Sequence, residues 1–254
     1  MPHPGQEAAP TRAVGARPDA PSQTLSRALA MLEVVAERPT PPSIAELADA
    51  LDVHRSVAYR MLRTFELHGL LRRDAAGLVH GAPGLVTLAG GVEQDLRAAA
   101  LPELTAVSGD LDMTAFLVVW DGRDCLTLAT VEPPRGNLVT QRPGTRHPLG
   151  VGAPGVAIAA VLPVEERGRL VSEDAAAVDR LSGPRVDEAR GRGWAQSRDE
   201  VITGVGSVAA PVPAPGRMPA ALAVVFTAPA VDHAAVGERL TASAHRLAAV
   251  LGEA

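Results

Sequence analysis

Residues 43–68, SIAELADALDVHRSVAYRMLRTFELH, hold two short helical patterns separated by a tight break, and the second pattern has two chemically different faces. At about 100° per residue, Val57, Ala58, Met61, Leu62 and Phe65 fall on one arc of a helix running from His54 to His68. Arg55, Ser56, Tyr59, Arg60 and Arg63 occupy the complementary arc. Such a helix docks on a small core through its apolar face and offers cationic and hydrogen-bonding side chains to a DNA groove. Upstream, Ser43 and Glu46 have the S-x-x-E spacing of a capping box, which satisfies free backbone donors at a helix start. Ile44, Leu47, Ala48 and Leu51 then face inward, and Asp52 and Val53 make the break.

Working outward, a first helix is expected to open at Ser22–Leu25 with a stripe of Leu25, Ala28, Leu29, Leu32, Val35 and Ala36, and PTPP at 39–42 ends it. Residues 1–21 are rich in Pro, Ala and Gly without apolar periodicity, the composition of a disordered tail. Gly69 suits the position just past a helix end. The following LLRRDAAGLVHG (70–81) offers two short extended runs around Gly77, a hairpin that would serve as the wing of a winged helix-turn-helix. Arg72 and Arg73 on that wing are placed to touch the DNA backbone. The expected organisation is a DNA-binding domain over 22–82, a linker helix over 83–108 and a second domain over 109–254.

The net charge of −5 argues against a nucleic-acid partner only as an average. Residues 1–90 carry nine arginines and nine acids, and residues 54–73 carry five arginines against Glu66 alone. A locally positive stripe on a neutral module suffices for phosphate contacts. No run of 18 apolar residues and no signal-peptide pattern occurs, so the chain is expected in the cytoplasm with no membrane partner. Cys125 is the only cysteine and the seven histidines lack metal-ligand spacing, so no metal and no cofactor is expected.

The second domain reads as α+β. Strand patterns run over 114–120, 125–131, 207–212 and 220–227, with a weaker one at 138–141, and helical patterns over 154–162, 164–171, 175–181, 185–191 and 231–251. Strands bunch at both ends with helices between, which favours a mostly antiparallel sheet flanked by helices. Residues 150–155, GVGAPG, match the G-x-G-x-x-G spacing of a dinucleotide turn, but Pro143 and Pro148 leave no room for the buried strand that must precede it. Two readings of the turn stay open: tight packing, or backbone donors that hold a small acid at a helix start. A small-molecule enzyme using this turn and the acids Asp199 and Glu200, and a ligand-free oligomerisation scaffold, are the alternatives for the domain.

SQTLSRALAMLEVVAE (22–37), IAELADALDVHRSVAYRMLRTFELHGLLRR (44–73), GTRHPLGVGAPGVAIAA (144–160) and RGWAQSRDEVITGVGSVAAPVPAPGRMPAALAVVFTA (192–228) together resemble the IclR-type bacterial transcriptional regulators. The resemblance implies a winged helix-turn-helix domain, a helical linker and a C-terminal GAF-like effector-binding domain in a homodimer or homotetramer. It implies a non-enzymatic regulator, expected to act as a repressor, with double-stranded operator DNA and a small organic effector as partners. DNA reading falls on Arg55, Ser56, Tyr59 and Arg60, with Arg63 as a backbone contact. The effector role falls on Gly152, Ala153, Asp199, Val208, Ala210, Pro211 and Thr227. Where relatives often carry proline, lysine and histidine, this chain has His54, Arg55 and Tyr59, which predicts an altered operator. Val156 and Val225 stand where lysine and a polar residue are common, which argues against a strongly anionic effector.

Overall fold

A computed structural model describes residues 22–135, 139–173, 177–227 and 231–252, and the chain divides into two compact units that meet in sequence between Val92 and Glu93. The expectation for residues 1–21 lies outside the described residues, as does part of the expected strand at 138–141. No helix among the described residues is long and apolar enough to cross a membrane.

In the first unit, α1 (Gln23–Glu37), α2 (Ile44–Ala50) and α3 (Arg55–Leu67) surround a core that includes Met31, Leu47, Leu62 and Phe65. The capping box is present in both directions: Glu46 N–H donates to Ser43 Oγ at 3.3 Å and Ser43 N–H to the Glu46 carboxylate at 2.8 Å. The break between α2 and α3 is closed by Asp52 at φ +49° and a Val53 N–H to Ala48 C=O bond of 3.0 Å. Strands β1 (Leu71–Arg73) and β2 (Val79–Gly81) pair antiparallel as the wing. Asp74 shapes its turn, accepting from Ala76 and Leu78 N–H through Oδ1 and facing His80 Nε2 at 2.9 Å through Oδ2.

The expected single linker helix is two helices, α4 (Gly84–Gly90) and α5 (Gln94–Leu111). The adjacent Gly90 and Gly91 have the poorest helix propensity short of proline, and Glu93 takes a left-handed φ of +45° between the two segments. Leu96, Ala100, Leu104 and Val107 of α5 belong to the core of the second unit, so this helix is a structural layer there.

That unit is built on one antiparallel sheet of order β5-β4-β3-β8-β7-β6. Its strands are β3 (Thr114–Trp120), β4 (Asp124–Val131), β5 (Arg146–Pro148), β6 (Ala195–Arg198), β7 (Gly206–Val212) and β8 (Ala220–Phe226). The two edge strands escape a search for apolar runs: RHP and AQSR are short and polar, as edges commonly are. Helices α5 and α10 (His233–Gly252) cover one face, packing Leu104, Leu240 and Leu247 against Leu117, Val208 and Val224. Helix α6 (Gly152–Val161) covers the other, with Ala153, Ala157 and Ile158 against Phe116, Ala209, Ala221 and Ala223. The small side chains let α6 approach the sheet, and residues 152–160 of it are all buried. Three shorter helices, α7 (Val164–Glu173), α8 (Ala177–Ser182) and α9 (Pro184–Arg192), lead back to β6.

Gly237 of α10 marks the closest approach on the first face, since a methyl group there would overlap the buried Trp194 indole. Gly237→Ala is expected to destabilise the second unit by roughly 1–3 kcal/mol, the usual cost of overpacking. Urea unfolding followed by tryptophan fluorescence reads the shift.

Candidate DNA-reading helix and ligand cavity

On α3 the sequence pattern is realised as two faces. Ala58, Met61, Leu62 and Phe65 are buried, Val57 is half-buried, and Arg55, Ser56, Tyr59, Arg60 and Arg63 are exposed. Among the described residues the guanidinium groups of Arg55, Arg60, Arg63 and Arg72 have no hydrogen-bond or ion-pair partner, so they are available to phosphates or base edges. The helix begins with an unusual cap: His54 Nδ1 accepts from Ser56 N–H at 3.3 Å and lies 2.9 Å from Ser56 Oγ. His54 thereby orients Ser56 as well as starting the helix.

Arg73 differs from its neighbour Arg72. Its guanidinium is bidentate on Glu66 of α3, at 2.7 and 3.1 Å, and lies 5.9 Å from the centroid of the Tyr59 ring. The wing is therefore tied to the reading helix, and the tie neutralises the single acid of the basic stretch. Arg73 is a support for Tyr59 in this arrangement, where the sequence suggests a phosphate contact.

In the second unit, a cavity enclosing about 570 Å³ of empty space, its open mouth included, lies between α6, the sheet and the loop after β6. Gly152 and Ala153 line it, together with Phe116, Gln141, His147, Ser197, Glu200, Val201, Ser207 and Val225. The other residues expected around an effector lie elsewhere. Val208 and Ala210 are on the opposite face of β7, in the α5/α10 core, because side chains alternate along a strand; Ser207 takes the cavity side. Pro211 is half-buried and not part of the wall, and Thr227 is exposed beyond the end of β8. Asp199, at φ +60°, turns its carboxylate to Gly204 N–H and shapes the loop, while its neighbour Glu200 reaches the cavity. Val156 is buried in the α6 core and Val225 faces the cavity.

The glycines of GVGAPG have packing reasons. Gly150 and Gly152 take φ of +79° and +67°, and a Cβ at Gly155 would stand 2.9 Å from Gly150 N. The backbone donors of the turn are used internally: Gly152 N–H donates to Glu200 at 3.0 Å and Ala153 N–H to Ser197 Oγ at 2.9 Å. Glu200 is also ion-paired with Arg185 at 2.6 Å. Among wall residues, burial pushes the His147 imidazole below its ordinary range, which keeps it neutral at physiological pH. Burial, with Asp124 and Asp121 nearby, pushes the Cys125 thiol up to about 12, which rules it out as a nucleophile at neutral pH.

The helix-turn-helix description of the IclR family matches residues 24–75, and the description "Bacterial transcriptional regulator IclR C-terminal" matches residues 92–249. The chain belongs to the IclR family of bacterial transcriptional regulators. It is a DNA-binding regulator, and its relatives are named as regulators. The HTH-type transcriptional regulator Rv1719 of Mycobacterium tuberculosis is 30% identical over 201 residues, covering 74% of this chain and 76% of that protein. The glycerol operon regulatory protein of Streptomyces griseus is 31% identical over 207 residues, covering 75% and 78%. Among solved structures, an IclR-type regulator from Alicyclobacillus acidocaldarius superposes with a TM-score of 0.79 at 23% identity, over 92% of this chain and all of that one. An IclR homologue from Microbacterium hydrocarbonoxydans, solved with 4-hydroxybenzoate, gives 0.78 at 22% identity over 91% and 100%.

The difference between Arg72 and Arg73 is measurable in this IclR-family regulator. Arg72→Ala is expected to reduce the slope of log K against log salt for duplex DNA by about 0.9, the value for one lost phosphate contact. Arg73→Ala is expected to change that slope far less, because Glu66 already compensates its charge. Fluorescence anisotropy titrations over a series of salt concentrations check both.

Proposed function

We propose that this regulator acts in the cytoplasm as a homodimer or homotetramer on a pseudo-palindromic operator, with paired α3 helices in major grooves spaced by one or more turns of about 10 bp. Arg55, Ser56, Tyr59 and Arg60 read base edges, while Arg63 and Arg72 contact the backbone. A small organic molecule in the α6 cavity biases the arrangement of the DNA-binding units by binding one arrangement more tightly than the other. The observation that carries the DNA half is the exposed arc of α3, whose three arginines have no intramolecular partner among the described residues. The effector half is supported by the cavity's mixed apolar and polar wall, and by the 4-hydroxybenzoate found with a structural relative.

Replacing Arg55 and Arg60 together by alanine tests the assignment. Each base-directed contact contributes about 1–3 kcal/mol, so the double variant is expected to lose roughly 30-fold or more in affinity for a duplex selected by the intact chain. Both side chains are exposed, so circular dichroism and sedimentation should match the parent. Unchanged affinity contradicts the reading.

A further inference from the structure

The start of α6 is the natural anion subsite of the cavity, since helix N-termini present free backbone donors. The two N–H groups that open the helix are both committed within the chain. Gly152 N–H is bound to the Glu200 carboxylate and Ala153 N–H to Ser197 Oγ. Position 154 is proline, which has no N–H. Charge is settled in the same way. Glu200, whose side chain is 26% exposed, is neutralised by Arg185 at 2.6 Å. The cation on the wall, Arg146, is held by Asp121 at 2.8 Å and Asp124 at 3.7 Å.

We propose that Glu200 occupies the carboxylate position of the cavity from within the chain, so that the cavity takes uncharged small molecules with an apolar body and excludes small carboxylates. This rests on the reading of the cavity as the effector site. A carboxylate entering beside Glu200 would find Gly152 N–H, Ala153 N–H and Arg185 already committed, and to gain them it would have to displace Glu200 from its ion pair. An uncharged ligand meets Phe116, Val201 and Val225 as apolar wall, and still finds polar partners. Ser197 accepts from Ala153 but keeps its own O–H to donate, and Gln141 spends its amide N–H on Thr127 while its carbonyl oxygen is uncommitted. A hydroxyl, amide or carbonyl group is the complement to that pair.

Two measurements on the full chain test the proposal. Acetate is small enough to replace the deleted group, so it is expected to raise the melting temperature of Glu200→Ala by a few degrees and to leave the intact chain unchanged. No difference between the two proteins overturns the internal carboxylate. Calorimetric titration with 4-hydroxybenzamide and 4-hydroxybenzoate, which share size and shape and differ in charge, reads ligand class. The intact chain is expected to bind the amide at least about tenfold more tightly, a difference of about 1.4 kcal/mol. Glu200→Ala, with Gly152 N–H and Arg185 released, is expected to gain at least about tenfold for the carboxylate. Glu200→Gln keeps an acceptor on Gly152 and is expected to retain the preference for the amide. Carboxylate binding to the intact chain as tight as that of the amide overturns the proposal. Acetate rescue without heat from either aromatic compound in any of the proteins overturns the ligand role of the cavity while leaving the Glu200 contact standing.

Discussion

Strands β3, β8 and β7 are buried on both faces, and the pleat of these three strands decides what every residue on them can do. Leu117, Val208, Leu222 and Val224 point to α5 and α10; Phe116, Ala209, Ala223 and Val225 point to α6. A slip of one residue would exchange the two sets and push large side chains beneath a helix that needs alanines. The register Phe116↔Ala223 and Ser207↔Val225 is therefore fixed from both sides at once. It also places Phe116, Ser207 and Val225 on the cavity wall, so the packing of the sheet and the chemistry of the ligand site have one origin.

The two functional surfaces treat their polar groups in opposite ways. At the start of α6 the Gly152 and Ala153 N–H groups and the Glu200 carboxylate have partners inside the chain, through Glu200, Ser197 and Arg185. On α3 the guanidinium groups of Arg55, Arg60 and Arg63 are left without partners among the described residues, while Glu66 is neutralised by Arg73. An exposed cation without a partner is inexpensive in water and gains much beside a polyanion. A buried donor without a partner is costly whether or not a ligand ever arrives. Each surface is thus matched to its surroundings: phosphate-rich and wet on one side, enclosed and largely apolar on the other.

The winged helix-turn-helix is legible in the sequence because its signals are local. Ser43 and Glu46 declare a cap three residues apart, and the 3.6-residue period of α3 sorts core from surface without reference to the rest of the chain. The cavity is not local, and the sequence resolves it only in part. Gly152 and Ala153 can be found from the glycine turn, but Ser197 reaches it from β6 and Glu200 from the loop that follows, both more than 40 residues away, and only the folded sheet brings them together. Val208 and Ala210 show how a stretch can be identified while its facing is missed by one residue. The edge strands β5 and β6 carry no apolar alternation to detect, and the Gly90–Gly91 break was hidden by apolar residues spaced helically on either side of it. Arg73 is a further case, since its charge is visible in the sequence and its partner Glu66 is seven residues away across a turn.

The account joins a ligand cavity in one unit to DNA reading in the other, and thermodynamic linkage tests that joint most directly. The dissociation constant of 4-hydroxybenzamide should be measured by calorimetry on the free protein and on the protein saturated with a duplex selected by the intact chain. The account predicts that the two constants differ by about fivefold or more, with a reciprocal change in DNA affinity at saturating ligand. Equal constants would mean that cavity and reading helix are uncoupled, and would contradict it.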